Sequence, residues 1–491
     1  MRKYFRCSNA VVGFVVVVCL LIILATSVSA KPRKKSRKQK ETAAQAAARQ
    51  QAAAQAAALY QASLFQATPT DNGFAVGPGA APSVRQNPVP TTGGSGGAQF
   101  IEDMDAKPNP GPAPQAGFLL ISEFRLRGPS GANDEFIEIY NDSGAPHTVT
   151  ALSGTGYGIA ASDGVLRCTI PNGTVIPVRG HFLCTNSVAY SLGGYAAGDA
   201  TYATDIADNA GIALFNNNSG GASFSLANRF DAVGSTSEAN TLYKEGTGYP
   251  ALTPFSIDYA FVRDNCGKQG SITTFGQCSR STPIDTDNNA TDFYFVDTNG
   301  TSAGAGQRLG APGPENLASP IQRNSTITPA NLDSTVNVAS PPNRVRDFTS
   351  VPANNSTFGT LSLRLRFINN TGANVTRLRF RIIDVTTFPA PSGFADLRPI
   401  TSSSVVVAGI NDSATCTAAS LSTPCTVTVQ GTTLEQPPSQ PNGSGFNGSL
   451  AAGTVTLGTP LANGASVNVQ FLLGIQQTGN FKIYVNMEAL P

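Results

Sequence analysis

The chain has 491 residues, with 33 Lys and Arg against 31 Asp and Glu, two His, no Trp and eight Cys. That length allows two or three domains at roughly 100–200 residues each. An apolar fraction of 41% supplies real cores, while only 13% of the chain is charged; this excludes a highly charged disordered chain and a coiled coil, and a single long apolar run excludes a multi-pass membrane protein.

Ten basic residues and no acid fall in the first 40 positions, so residues 41–491 carry a net charge of −8. A body of that sign is a poor generic polyanion binder, and nucleic acid is not an expected partner. Arg2, Lys3 and Arg6 precede an apolar run from Ala10 to Ala25, and Val28-Ser29-Ala30 has the small-x-small pattern of a secretory cleavage site. Residues 1–30 therefore read as a signal peptide and the mature chain as secreted or at the cell surface. The alternative is an uncleaved single-span anchor, the only expected route to a membrane. Residues 31–40 hold seven basic side chains, a solvated arm or an electrostatic tether. Residues 41–67 are rich in Ala and Gln and read as a helix, a spacer or weak self-association element. Residues 68–116 are a Pro/Gly/Ser-rich linker. Gly93-Gly-Ser95-Gly-Gly97 matches the nucleophile-elbow pattern in letters only, because no strand precedes it and no helix follows.

From Gly117 short apolar runs alternate with Gly, Asn, Asp and Ser. Residues 118–127 read as a strand, and the alternation of residues 135–140 puts Phe136, Glu138 and Tyr140 on one face and Glu135, Ile137 and Ile139 on the other. Further strands are expected at 165–170, 174–177, 181–184, 211–215, 257–263 and 292–297. After a break at 313–330, opened by Gly310-Ala-Pro-Gly-Pro, residues 331–491 give runs at 359–368, 375–384, 403–409, 424–430, 453–457, 466–473 and 480–487. The fold class is all-β, two antiparallel domains at 117–312 and 331–491, each a sandwich or barrel.

Removal of the signal leaves Cys168, Cys184, Cys266, Cys278, Cys416 and Cys425. In an exported chain an even count suggests disulfides, here three sequence-local pairs, 168–184, 266–278 and 416–425. The cysteines do not read as zinc ligands, since there is no Cys-x-x-Cys and His147 and His181 are the only histidines.

Ser122, Glu123, Glu135, Phe136, Ile137, Glu138, Ile139 and Asn141, split by a Gly-rich loop, resemble the opening of a lamin tail domain. The acidic segment 285–293 and the Gly310-Ala-Pro-Gly-Pro ending resemble bacterial, exported members of that family. The resemblance covers about 117–312 and implies an immunoglobulin-like sandwich that serves as an interaction module. Residues 331–491 resemble C-terminal β-sandwich regions of exported bacterial proteins without a firm family.

Candidate sites are few. Asp134, Glu135 and Glu138 cluster, but alternation sends Glu135 and Glu138 to opposite faces, which favours a structural role. Asp285, Asp287, Asn289 and Asp292 begin like a calcium loop, yet Ala290 stands where that loop needs Gly and Val296 where it needs Glu. Only an irregular calcium site is left open there. Arg364 and Arg366, with Arg377, Arg379 and Arg381, would form one five-guanidinium face if strands 359–368 and 375–384 paired as a hairpin, with Asp384, Asp396 and Glu488 as candidate counter-charges. Such a face would grip acidic polysaccharide. No Ser-His or Cys-His nucleophile pattern is visible. The expected function is thus a non-enzymatic surface or extracellular binding or structural protein whose partner is a cell-surface polymer or protein. The alternatives are an acidic-polysaccharide binder using the Arg face, and a carboxylate-dependent hydrolase in the loops of 117–312.

Overall fold

The computed structural model describes residues 97–100, 119–253, 256–264, 283–322, 326–435 and 440–491, with 97–100 described by backbone only. The signal segment, the basic arm, the Ala/Gln segment, Gly93 to Gly96, Cys266 and Cys278 lie outside the described residues. The fold is all-β. Among the described residues no helix is long and apolar enough to cross a membrane.

Alternation and one bulge build the first lobe. In Leu119–Arg125, Leu119 and Ile121 point into an apolar core, and strict alternation would send Glu123 there next. The pairing with Phe136–Asn141 shifts register between Ile121 and Glu123. This bulge returns Phe124 to the core and leaves Glu123 and Arg125 on the outer side. The sheet then runs in the order Phe293–Asp297, Tyr259–Arg263, Leu119–Arg125, Phe136–Asn141, His181–Asn186, Ala200–Tyr202. A four-stranded sheet, Arg229–Val233, Ile212–Phe215, Gly156–Ala161 and Leu166–Pro171, covers its inner face. The Cys168–Cys184 disulfide joins the two sheets inside the shared core.

The second lobe repeats this layering around a separate core. One sheet holds Lys482–Leu490, Arg377–Val385, Ser449–Ala451 and Thr433–Leu434, with Ile321–Gln322 antiparallel and Gly97–Phe100 parallel on the far edge of Lys482–Leu490. The other holds Ile327–Asn331, Thr360–Asn369, Ser466–Gln477 and Asp396–Ile400, with Arg344–Asp347 beside Thr360–Asn369. A small hairpin, Val405–Ile410 with Cys425–Val429, is tied by Cys416–Cys425 to the short helix Ser413–Ala418. Asp412 caps that helix, accepting from the Thr415 amide at 2.7 Å.

Two sequence expectations change. The run at 453–457 is a turn, and the strand lies earlier, at Ser449–Ala451. The 359–368 and 375–384 runs are strands, Thr360–Asn369 and Arg377–Val385, but they do not pair as a hairpin. The connection crosses from one sheet to the other, so the two strands face each other through the core, with the Phe367 and Phe380 rings 4.7 Å apart. Asn369 holds this crossing by donating to the carbonyls of Ala373 and Leu461, each at 2.8 Å.

The described residues fall within one compact unit. The two lobes meet through the outer faces of their six-stranded sheets. Phe136, Leu183, Val262, Tyr294 and Val296 of the first pack against Ile383, Phe446 and Tyr484 of the second.

Candidate functional site

The seam between those faces holds a cluster of buried polar and charged side chains. The register places Glu123 directly opposite Glu138, and like charges so placed destabilise a sheet. Both carboxylates are buried, and both are held by the segment that follows the first lobe. Glu123 accepts from the Gly313 amide at 2.7 Å and from Asn447 Nδ2 at 2.9 Å. Glu138 accepts from the Glu315 amide at 2.6 Å and from the Ser122 hydroxyl at 2.5 Å. Glu123 and Glu138 thus hold the Ala-Pro-Gly-Pro-Glu segment, 311–315, in place, and residues 313–315, read from sequence as the start of a linker, are part of the join.

The second lobe supplies the cations. Alternation along Arg377–Val385 sends Leu378, Phe380 and Ile382 into the core and Arg379 and Arg381 into the seam. Arg379 donates to Glu488 at 2.5 Å and to Glu315. Arg381 donates to Glu488 at 3.0 Å and to the Asn447 side chain at 3.1 Å. The Tyr195 hydroxyl bridges both guanidiniums, at 2.5 and 3.4 Å. Burial pushes the Glu123 carboxyl up to about 7, against the pull of Arg381. Burial, and then the charge of Glu123, hold Glu138 well above the ordinary carboxylate range. Burial, and then Arg381 and Arg379, push the His181 imidazole well below its usual value.

This disposes of the five-arginine face as a geometric unit. Arg364 and Arg366 lie on one sheet of the second lobe and Arg377, Arg379 and Arg381 on the other. The inward Phe367 and Phe380 force the two sets to point away from each other. Arg377 pairs with Glu435 at 2.9 Å, and Arg364 donates to Gln470 at 3.3 Å. Of the candidate counter-charges, Glu488 fulfils that role for Arg379 and Arg381, whereas Asp396 binds Arg398 at 2.7 Å.

The acidic segment at 285–292 is gathered around an arginine. Arg263 lies 3.4 Å from Asp285 and 3.5 Å from Asp292, and its other nitrogen meets Asp231 at 2.5 Å. Asp287 is exposed. The Asn289 carboxamide is spent on the backbone, accepting from Gly234 and Glu245 and donating to Ala232. Of the four expected ligands only Asp285 and Asp292 converge, and Arg263 stands at their focus. Asp231 and Glu245 join Asp285 there; burial, then the charges of Asp231 and Asp285, push Glu245 up to about 10. Asp134, also singled out from sequence, pairs with Arg125, which reaches Asp258 at 2.9 Å.

One surface feature stands apart. Phe348 is 68% exposed with the Arg346 guanidinium 4.5 Å over its ring. Arg346 also donates to the Phe358 and Thr360 carbonyls, and Phe358 is itself exposed. An aromatic ring with a guanidinium fixed beside it is a ready contact surface for a ring-bearing or acidic partner.

Sequence reasoning did not single out His181, Glu315 or Glu488 as a group. Glu488 was read only as a counter-charge, and the other two were hinted at by rarity or neighbours: one of two histidines, and an acid closing an Ala-Pro-Gly-Pro run. No family model, no curated protein and no solved structure matches the chain.

Proposed function

We propose that the chain is an exported, non-catalytic surface protein whose two immunoglobulin-like sandwiches, the first of lamin-tail type, act as one rigid body that presents a contact surface to a cell-surface polymer or protein. The observation that carries this reading is the seam. Glu123 and Glu138 spend their hydrogen bonds on the Gly313 and Glu315 amides, and Glu315 in turn pairs with Arg379 of the second lobe. Rigid joining suits display, because loops on a fixed scaffold bind without the entropic cost of ordering two swinging domains. The Phe348–Arg346–Phe358 patch is the proposed contact surface.

Two measurements test this. Intact cells carrying the full chain with an epitope tag are treated with added protease; loss of the tag is expected, and a tag that stays protected refutes surface display. Purified full chain is then offered neutral and acidic cell-wall polymers and intact cells. Binding should fall at least 10-fold in the Phe348→Ala, Phe358→Ala double variant, with melting unchanged. Equal binding by that variant would remove the patch from the proposal.

A further inference from the structure

The seam lines a cavity of about 60 Å3, room for more than one water-sized group. Glu138, His181 and Glu315 line it, and all three are more than nine-tenths buried. They arrive from three places in the chain: the strand Phe136–Asn141, the strand His181–Asn186 and the segment after Gly313. His181 Nε2 lies 3.4 Å from Glu315 Oε2 and 3.8 Å from Glu138 Oε1. One donor atom from each residue lies within 4.8 Å of the others. Among the described residues the imidazole makes no hydrogen bond, although it is 8% exposed and faces the cavity.

Both separations exceed a hydrogen bond, and Glu315 Oε2 also lies 3.4 Å from an Arg381 nitrogen. A hydrogen bond between imidazole and carboxylate closes to about 2.7–2.9 Å. Donors that share a tetrahedral ion at about 2.0–2.2 Å stand roughly 3.4 Å apart. Glu123, Glu138, Glu315 and Glu488 line the cavity together with Arg263 and Arg381, a lining rich in carboxyl oxygens. We propose that the seam binds one divalent transition-metal ion of the zinc type through Glu138 Oε1, His181 Nε2 and Glu315 Oε2. The imidazole selects against calcium and magnesium, which take oxygen ligands. The ion ties the first lobe to the segment whose Glu315 also pairs with Arg379 of the second, so metal binding and lobe joining are linked.

The test uses the full chain, stripped with a chelator, desalted, equilibrated with Zn2+ and desalted again. About one equivalent of zinc should be retained, and Zn2+ should raise the melting temperature while Ca2+ and Mg2+ do not. Glu138→Gln keeps an acceptor for the Glu315 amide and should weaken retention at least 10-fold, as should His181→Gln. Where a variant fails to fold, the wild-type chain decides. It has only two histidines, so Zn2+ must shift the imidazole NMR signals of one and spare the other, with His147→Gln making the assignment. The proposal is overturned by retention below a tenth of an equivalent, by folded variants that retain as much zinc as wild type, by an equal response to Ca2+, or by a shift confined to His147.

Discussion

Glu135 sits across its strand from Glu138, accepting from the Ile206 amide at 2.7 Å and from Asn186 at 2.8 Å. Burial outweighs those bonds and pushes its carboxyl up to about 7. A carboxyl raised on folding contributes stability that is fully present below its unfolded value, near 4.5, and is lost as pH rises through about 7. Glu135→Gln removes that titration. The variant's unfolding free energy from urea titrations should therefore change less than wild type's between pH 5 and 8, by up to about 3 kcal/mol at roughly 1.4 kcal/mol per pKa unit; parallel curves would assign the pH dependence elsewhere. Glu488 makes the opposite case, because its charge is needed. Glu488→Ala leaves Arg379 and Arg381 each short of a buried partner and should cost about 3–5 kcal/mol in chemical denaturation. Much of the residue-level reading was available from alternation: the faces of Glu135 and Glu138, and the sidedness of Arg379 and Arg381. Of their partners only Glu488 was anticipated, as a counter-charge; Glu138, His181 and Glu315 are brought together only by tertiary packing.

Strands were the legible elements, and their pairing was not. Residues 370–375 carry the Asn, Thr and Gly of a tight turn, and those residues suit a hairpin and a crossing between sheets equally well. The deciding bonds come from Asn369 to Leu461, a partner invisible at short range. Among the strands that escaped the sequence reading are Gly156–Ala161, Arg229–Val233, Ile327–Asn331, Arg344–Asp347 and Asp396–Ile400; several are rich in Gly, Ala, Arg or Pro, so β-propensity does not mark them. Spacing did anticipate the local disulfides at 168–184 and 416–425. Replacing Cys168 and Cys184 together with Ala frees a loop of sequence separation 16 and should lower stability by about 3 kcal/mol. A loss below 1 kcal/mol would mean that the apolar contacts between the two sheets hold the lobe unaided.

For the whole molecule, composition and turn spacing gave an all-β chain in two blocks, while the buried join between them was hidden by a Pro/Gly-rich segment that resembles a tether. That join has a thermodynamic signature. Lobes that share buried charge and the Phe136, Tyr294 and Phe446 contacts should unfold in one calorimetric transition. Removing the seam acids together, Glu315→Ala with Glu488→Ala, should split the profile into two. Two transitions in the wild-type chain would mean that the lobes are thermodynamically independent.

The strand Gly97–Phe100 lies parallel to residues 482–485, so the earliest strand of the described chain is completed by the last one to be synthesised. At 5–20 residues per second that wait is on the order of tens of seconds. For about the second half of it, once Tyr294 is made, the first lobe's outer sheet, with Phe136, Val262, Tyr294 and the facing pair Glu123 and Glu138, is without its cover. The nascent chain is therefore most vulnerable to aggregation before Arg379 and Arg381 emerge, and its carboxylate pair, repulsive while still wetted, guards that bare face until they arrive.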